Sequence, residues 1–243
     1  MKSFMVSPRS YDELWRSSWG ELQRIGPVHR HVTQLVLSTV ASLPVRTVVD
    51  IGCGSGDNLA ALAAQNRYEL VGTDISEEAL KLARQRVPSA RLMRLDIEQH
   101  ALPESFDVVM SMQVIEHLAD DVAALAHMAT MARSYVFIST LEGRMRPSEL
   151  AIGHVRNYSR TELRRKVEQV GLRVVKMWGW GFPWYSPFYR TVSEWLPGGP
   201  PIRPTNAVSR FAAVALYQLY RLNWPGRGDV LMVLAQPAHA ASA

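Results

Sequence analysis

Three glycines spaced two residues apart follow a short apolar run and mark the most chemically informative part of the chain. Residues 48–56 read VVDIGCGSG, so Gly52, Gly54 and Gly56 come directly after the apolar residues. Glycine is needed where a strand turns sharply into a helix and where a ligand must approach the backbone more closely than a Cβ allows. The pattern therefore predicts a turn that binds a nucleotide.

The residues after the turn narrow the class of nucleotide. The dinucleotide fingerprint would need a third glycine at position 57, where the chain has Asp57. A phosphate-binding P-loop would need Gly-Lys-Ser or Gly-Lys-Thr, and no lysine lies near the turn. The sequence therefore weakens the case for a dinucleotide and argues more strongly against a phosphate loop.

Two aspartates end the next two predicted strands. Asp74 lies 24 positions after Asp50, and Asp96 follows the third strand. In a doubly wound sheet the end of the neighbouring strand lies beside the glycine turn, so a carboxylate there can accept hydrogen bonds from both ribose hydroxyls. The alternative for Asp74 is a helix cap or a solvated side chain.

The next strand, 106–111, leads through a short turn into Glu116-His117-Leu118. With the glycine turn and the aspartates, this element resembles the class I S-adenosylmethionine-dependent methyltransferases of the small-molecule type, similar to methyltransferase domains 11 and 23. The resemblance covers roughly residues 12–178 and the final strand. It implies S-adenosylmethionine as cofactor, with Asp74 on the ribose, Asp96 on the adenine amino group, and Ile75 and Ile97 on the ring. The implied cofactor-binding residues are Asp50, Gly52, Cys53, Gly54, Gly56, Asp74, Ile75, Asp96, Ile97, Met112, Gln113, Tyr11 and Arg30, with Trp15 considered beside the last two.

The resemblance also indicates an acceptor side. The segment 153–158, GHVRNY, is similar to a His-x-Arg-x-aromatic segment that faces the acceptor in this family, which implies His154, Arg156 and Tyr158 as substrate-binding residues. Methylation of a hydroxyl calls for a proton acceptor, and histidine suits this near neutral pH. His154 and His117 are therefore the candidate catalytic residues, although a base is optional where positioning supplies the rate.

Several other classes of site are disfavoured. The histidines show no metal-ligand spacing, so we expect no metal site. The Asn/Asp-Pro-Pro-aromatic motif that grips a flipped base does not follow the fourth strand, which argues against a nucleic-acid target. Cys53 is the chain's one cysteine and is expected to be a packing residue in a reducing compartment.

The elements that must position these residues alternate between apolar strands and helices. This order predicts an α/β fold with a doubly wound, seven-stranded Rossmann-like methyltransferase sheet, an antiparallel last strand and N-terminal helices. We expect helices after the caps Ser76 and Ser159. The predicted strands are 47–50, 70–74, 91–95, 106–111, 135–140, 173–178 and 230–235.

An aromatic-rich stretch interrupts this order before the last strand. We predict an N-terminal helical cap at 1–45, a methyltransferase core at 46–178 and 229–236, and a substrate-side insertion at 179–228. Most aromatics of the insertion are expected to pack on the body, with Trp184 contacting the acceptor. Residues 209–222 predict an amphipathic helix with Phe211, Val214, Ala215 and Leu222 on one side, packed on its own domain or docked on a membrane surface.

Bulk composition sets the remaining expectations. The chain has 243 residues, 47% hydrophobic and 20% charged, and a formal charge of +5. It has no apolar run of membrane-spanning length and no signal-like N-terminus, so we expect a cytoplasmic enzyme. We predict O-methylation of a bulky or amphipathic small-molecule acceptor: a natural product, glycolipid, quinone precursor or nucleotide sugar. RNA or protein methylation, and a non-catalytic S-adenosylmethionine-binding protein, are the alternatives, and oligomeric state is not predicted.

Overall fold

A central seven-stranded sheet organises the molecule. The computed structural model describes residues 8–16, 20, 24–195 and 207–238. The first residues of the predicted N-terminal cap and residues 196–206 of the predicted insertion lie outside these ranges. The strands are β1 (Thr47–Ile51), β2 (Glu69–Asp74), β3 (Arg91–Arg94), β4 (Phe106–Met112), β5 (Ala132–Leu141), β6 (Leu172–Trp180) and β7 (Val230–Pro237).

The strand order is β3-β2-β1-β4-β5-β7-β6, and β7 alone runs antiparallel, to both β5 and β6. The order reverses between β1 and β4, which makes their carboxyl ends a switch point where a crevice opens. The predicted doubly wound sheet with an antiparallel last strand is confirmed. All seven predicted strands are present, and most extend by one to three residues beyond the predicted bounds.

The helices cover both faces of the sheet. They are α1 (Pro8–Arg16), α2 (Pro27–Ala41), α3 (Asp57–Ala63), α4 (Glu77–Arg86), α5 (Asp121–Met131), α6 (Pro147–Ala151), α7 (Arg160–Gln169), α8 (Arg190–Trp195) and α9 (Ala207–Tyr220). A short 3₁₀ turn spans Ile115–His117, and a π-type turn spans Trp184–Tyr189. None of the helices in the described ranges is both long enough and apolar enough to cross a bilayer.

Alternation along the strands builds two cores. Val48 packs in the core that includes Val36 of α2, whereas Val49 packs in the core that includes Leu125 of α5. Successive side chains of a strand point to opposite faces, so a continuous apolar run buries both faces of the sheet. The sheet is therefore held rigidly from both sides, and its strand ends are fixed in position.

Two helix starts follow the expected capping chemistry. The Ser76 hydroxyl accepts a hydrogen bond from the Ala79 backbone N–H at 3.2 Å, and the Ser159 hydroxyl accepts one from Glu162 at 3.1 Å. Each cap satisfies one of the amides that a helix N-terminus leaves without a partner. The predicted starts of α4 and α7 are confirmed.

The aromatic insertion packs against the body of the protein. Trp180, Tyr185, Tyr189 and Tyr220 form a set of ring contacts with centroids 5.7–6.4 Å apart, and His31 of α2 lies between Trp180 and the ring of Tyr217. Offset and edge-to-face contacts of this kind stabilise aromatic cores. The expectation that most of these aromatics pack on the body agrees with this arrangement.

One helix faces the other way from the expectation. The predicted apolar side of α9, with Phe211, Val214, Ala215 and Leu222, is exposed. Ala213 and Tyr220, on the opposite side, are buried against the body. The helix does pack on its own domain, through the face with Tyr217 and Tyr220, whose rings contact His31 of α2.

Candidate functional site

The glycine turn joins β1 to α3 in a left-handed backbone conformation. Gly52, Gly54 and Gly56 have φ values of +72°, +54° and +79°. The N–H groups of Gly52 and Cys53 both donate to the Thr73 carbonyl oxygen at 2.8 Å, which ties the turn to the end of β2. A Cβ on Gly52 would lie 2.4 Å from Cγ2 of Val114, so this position excludes every side chain.

A cleft of about 580 Å³ opens beside this turn, at the carboxyl ends of β1 to β4. We call it the glycine-turn cleft. Its volume lies in the range of small-molecule and cofactor sites. Many of the residues predicted to bind the cofactor line it: Gly52, Cys53, Gly54, Asp74, Ile75, Asp96, Ile97, Met112, Gln113 and Tyr11, together with Trp15.

Asp74 is fixed in orientation by backbone hydrogen bonds. Its Oδ2 accepts from the N–H of Gly54 and its Oδ1 from the N–H of Ser76, both at 2.9 Å. Burial raises the pKa of this carboxyl to about 6, although hydrogen bonds from the backbone of Ser76, Gly54 and Ile75 lower it. Each carboxylate oxygen still has a lone pair available. The side chain is thus placed to accept two further hydrogen bonds from a ligand.

The ends of β3 and β4 complete the floor of the cleft. Asp96 accepts a hydrogen bond from the Glu98 N–H at 3.1 Å and lies beside the buried Ile97. Gln113 has a φ of +59°, which is uncommon for a residue other than glycine, and its amide donates to the Ser139 hydroxyl at 2.8 Å. An acid and an apolar side chain therefore lie on one strand end, and a fixed amide lies on the next.

Helix α1 carries an aromatic wall of the cleft. The Ser76 hydroxyl donates to Asp12 at 2.5 Å, which attaches α1 to the start of α4. Tyr11 lies next to this contact, 6.1 Å from the ring of His117 between centroids, and burial raises its pKa to about 12. The phenol is therefore neutral near pH 7 and can donate a hydrogen bond.

Two predicted cofactor residues lie behind the cleft instead of lining it. Asp50 is 1% exposed within β1, where burial and the neighbouring Asp74 raise its pKa well above the ordinary value. Gly56 precedes α3, and a Cβ there would lie 3.2 Å from the Cβ of Ala83. Gly56 thus allows α3 and α4 to pack closely.

The structure does not bring Arg30 to the cleft, which corrects that expectation. Its guanidinium lies 3.8 Å from the centroid of the Tyr217 ring and borders a separate cavity of about 150 Å³. The reason is helical geometry: His29, Val32 and Thr33 share the side of α2 that faces the cleft, and Arg30 lies on the next side.

Three predicted substrate residues also lie away from the cleft. Arg156 pairs with Asp121 at 3.0 Å, and the buried Tyr158 hydroxyl donates to the same carboxylate at 2.7 Å. Trp184 lies in the insertion, with its ring edge-on to Phe188 at 6.1 Å. Arg156 and Tyr158 therefore attach the loop after β5 to α5, and Trp184 packs on the body.

A compact group of three titratable side chains borders the cleft beside the turn after β4. His117 lines the cleft, His154 lies behind it with ring centroids 4.5 Å apart, and Glu116 is fully buried beside them. One potential ligand atom from each residue lies within 4.8 Å of the others. In the described part of the chain, Nδ1 of both histidines and Oε1 of Glu116 are buried with no hydrogen-bond partner.

The electrostatics of this group favour neutral forms. Burial raises the pKa of Glu116 to about 8 and, with His154, lowers the pKa of His117 to about 3. Burial also lowers the pKa of His154. A buried carboxyl and two imidazoles with unpartnered atoms have the chemistry of a divalent-cation site, as well as that of a proton acceptor. The expectation that no metal binds stays a prediction.

Several cleft residues were not predicted from the sequence. They include His29, Thr33 and Asn58, whose side chains come from α2 and α3, and Ile152 and Val155 from the loop after β5. Thr33 donates to Asn58 at 2.8 Å, which joins the two helices at the rim of the cleft. His29 and Thr33 are four residues apart, and this spacing indicates that both lie on one side of the helix.

Comparisons of the sequence and of the structure with known proteins both find methyltransferases. Residues 48–134 match the family model described as a methyltransferase domain. The ubiquinone biosynthesis O-methyltransferase of Aliivibrio fischeri (strain MJ11) is 30% identical over 146 residues, which cover 57% of this chain and 62% of that protein. The chain therefore matches less than two thirds of the length of this relative.

Two solved structures share the fold. The magnesium protoporphyrin IX methyltransferase of Synechocystis PCC 6803 with bound SAH has a TM-score of 0.60 at 17% identity, with 95% of this chain and 99% of that chain covered. A complex of the Trm112 methyltransferase activator and a methyltransferase of Haloferax volcanii has a TM-score of 0.64 at 21% identity, with 94% and 98% covered.

Proposed function

Because the chain belongs to the class I S-adenosylmethionine-dependent methyltransferase family, we propose that it binds S-adenosylmethionine in the glycine-turn cleft and methylates an oxygen of a small molecule. The observation that carries this proposal is the position of Asp74. Its carboxylate is held by Gly54 and Ser76 at the wall of the cleft, where it can accept hydrogen bonds from a ribose diol.

The cofactor's remaining parts fit the other walls. Asp96 can accept a hydrogen bond from the adenine amino group, and Ile75 and Ile97 offer apolar surfaces to the two ring faces. Gln113 and Met112 would then lie along the methionine portion. This placement directs the sulfonium methyl toward the end of the cleft that His117 borders.

Methyl transfer from a sulfonium is a direct displacement. A bond forms between the acceptor oxygen and the methyl carbon while the carbon–sulfur bond breaks, and the acceptor loses its hydroxyl proton. Holding the reactants in near-attack geometry can supply on the order of 7–11 kcal/mol of the barrier. The cleft contributes this through its rigid strand ends, and Tyr11 and Trp15 help to exclude water.

The group Glu116, His117 and His154 is the candidate for handling the acceptor proton. His117 reaches the cleft, but a pKa near 3 makes an isolated imidazole a weak base. The three unpartnered atoms would also suit a divalent cation, which ionises a bound hydroxyl more readily. We propose that this group activates the acceptor hydroxyl, either through His117 as a base or through a bound divalent cation. Addition of a chelator distinguishes the two, because only the second depends on a cation.

The acceptor class is inferred from the cleft walls and the relatives. Ile152, Val155 and Leu118 give the acceptor end an apolar character, which suits a bulky or amphipathic molecule. The Aliivibrio fischeri relative is named for O-methylation in ubiquinone biosynthesis, so aromatic hydroxyls of the quinone-precursor type are the first acceptors to test. RNA and protein acceptors are the alternative outcome.

The test measures transfer of a labelled methyl group from S-adenosylmethionine. We expect product with small aromatic diols and none with purified RNA or polypeptide. His117→Gln is expected to lower turnover at least tenfold with little change in cofactor affinity. His100→Gln, an exposed histidine away from the cleft lining, is the control. Cofactor binding with no transfer to any acceptor would show a non-catalytic protein, and exclusive transfer to RNA or protein would overturn the acceptor class.

A further inference from the structure

Helix α9 and the turn after it present apolar side chains that the described part of the chain does not cover. Phe211 and Val214 of the helix are 76% and 51% exposed, and Leu222 and Trp224, in the turn after the helix end at Tyr220, are 62% and 56% exposed. Four large apolar side chains that are exposed within one short segment indicate an interaction surface.

The opposite face of α9 is firmly attached. Ala213 and Tyr220 are buried, and the Tyr217 ring stacks on His31 with centroids 4.4 Å apart. The backbone of the following turn is tied as well, because the Trp224 N–H donates to the Phe182 carbonyl oxygen at 2.6 Å. These contacts fix the orientation of the helix, and the apolar side chains on its other side therefore point to solvent.

The charged residues of this segment are all positive. Residues 207–228 contain Arg210, Arg221 and Arg227 and no aspartate or glutamate. Arg221 and Arg227 are exposed, and Arg30 of α2 adds a cation over the Tyr217 ring. The apolar face is thus bordered by positive charge.

We propose that α9 and the turn after it dock this protein on an anionic lipid surface, with the helix lying in the plane of the interface. Aromatic and aliphatic side chains beside arginines are the composition of interfacial helices. Each arginine near an anionic bilayer strengthens binding by roughly fivefold. Burial of the apolar side chains supplies the part of the affinity that salt does not remove.

Other occupants fit the surface less well. A twofold contact with a second copy would bring two arginine-bordered faces together, since both subunits use the same patch. Nucleic acid would neutralise the arginines, but Phe211, Val214 and Leu222 offer no hydrogen bond to a phosphate. A lipid surface satisfies both the charge and the apolar side chains.

Sedimentation with vesicles tests the proposal. We expect the full chain to bind vesicles of phosphatidylcholine with roughly 30% phosphatidylglycerol, which have a negative surface potential, and to bind pure phosphatidylcholine at least tenfold more weakly. Phe211→Ser with Leu222→Ser should weaken binding at least tenfold at any salt concentration. Arg221→Gln with Arg227→Gln should weaken it roughly 25-fold at low salt.

Matched controls remove similar groups elsewhere. Leu150→Ser with Val175→Ser removes two exposed apolar side chains, 59% and 47% exposed, and Arg164→Gln with Arg165→Gln removes two exposed arginines of α7. Both controls should bind vesicles like the unmodified chain, and circular dichroism checks folding of every variant. Equal binding by the Phe211/Leu222 variant would overturn the proposal. So would a dimer in light scattering that this variant abolishes, or retention on RNA with none on anionic vesicles.

Discussion

Substitution of Gly52 by alanine tests whether glycine is required at this position by contact with Val114 as well as by the positive φ. The φ of Gly52 is +72°, and an alanine Cβ would lie 2.4 Å from Cγ2 and 3.1 Å from Cγ1 of Val114. The left-handed backbone alone costs an alanine roughly 1–2 kcal/mol. Forcing a methyl group into filled space adds roughly 1–3 kcal/mol. Gly52→Ala should therefore lower the free energy of unfolding by about 2–5 kcal/mol.

The chain contains a matched control for the backbone contribution. Gly171 has a φ of +81°, and a Cβ there would meet nothing within 4 Å, so Gly171→Ala should cost only about 1–2 kcal/mol. Val114→Ala in the Gly52→Ala background should recover about 1–3 kcal/mol, seen as a coupling energy in a double-mutant cycle. Urea denaturation gives all four values. Equal costs for the two glycine variants, or no coupling with Val114, would refute the steric argument.

Three further predictions concern the charges around the site. Arg190 is buried between Glu149 and Asp229, and Arg146 lies within 4.0 Å of both carboxylates as well. Arg190→Met should cost about 1.5–3 kcal/mol in urea denaturation by removing the nearer of the two guanidinium partners of Glu149. Adding Glu149→Gln should recover part of this, and no recovery would argue against the pairing. Because the pKa of Asp74 is raised to about 6 and ribose hydroxyls favour the ionised form, affinity for S-adenosylhomocysteine should fall as pH decreases through 6, and a flat profile would contradict the ribose assignment. Tyr158→Phe should cost about 1–3 kcal/mol of stability with the KM for the acceptor unchanged, whereas a selective rise in KM would restore Tyr158 to the acceptor site.

The sheet and the cofactor wall were predictable because they depend on local patterns. Apolar runs bounded by polar residues identified all seven strands, and the parallel order brought Asp74 and Asp96 to one edge of the sheet. The start of β5 was missed by three residues because Ala132 to Ser134 lack the apolar run that marked the rest of the strand. Apolar runs and the polar residues that bound them are properties of neighbouring residues, so a single sequence contains them.

The acceptor side was not predictable in the same way because it depends on distant partners. Arg156 and Tyr158 are drawn away from the cleft by Asp121, more than 30 residues earlier. Helix α9 carries two apolar stripes, and the stripe with Tyr220 is buried because that ring contacts Trp180, Tyr185 and Tyr189. The nearness of Glu116 to His154 likewise arises from the fold of the loop after β5, where the Val155 N–H donates to the Glu116 carbonyl oxygen at 2.9 Å.

Calorimetric titration with S-adenosylhomocysteine measures directly whether Asp74 holds the cofactor, because a similar aspartate at the other end of the sheet serves as its control. Asp107 also accepts two backbone N–H bonds at 2.9 Å, from Arg46 and Thr47, but lies far from the cleft lining. We predict one site in the unmodified chain, affinity reduced roughly 10- to 150-fold by Asp74→Asn through loss of charge-assisted hydrogen bonds, and unchanged affinity in Asp107→Asn. Equal affinities of the two variants, or binding of NAD or ATP in place of S-adenosylhomocysteine, would contradict the account.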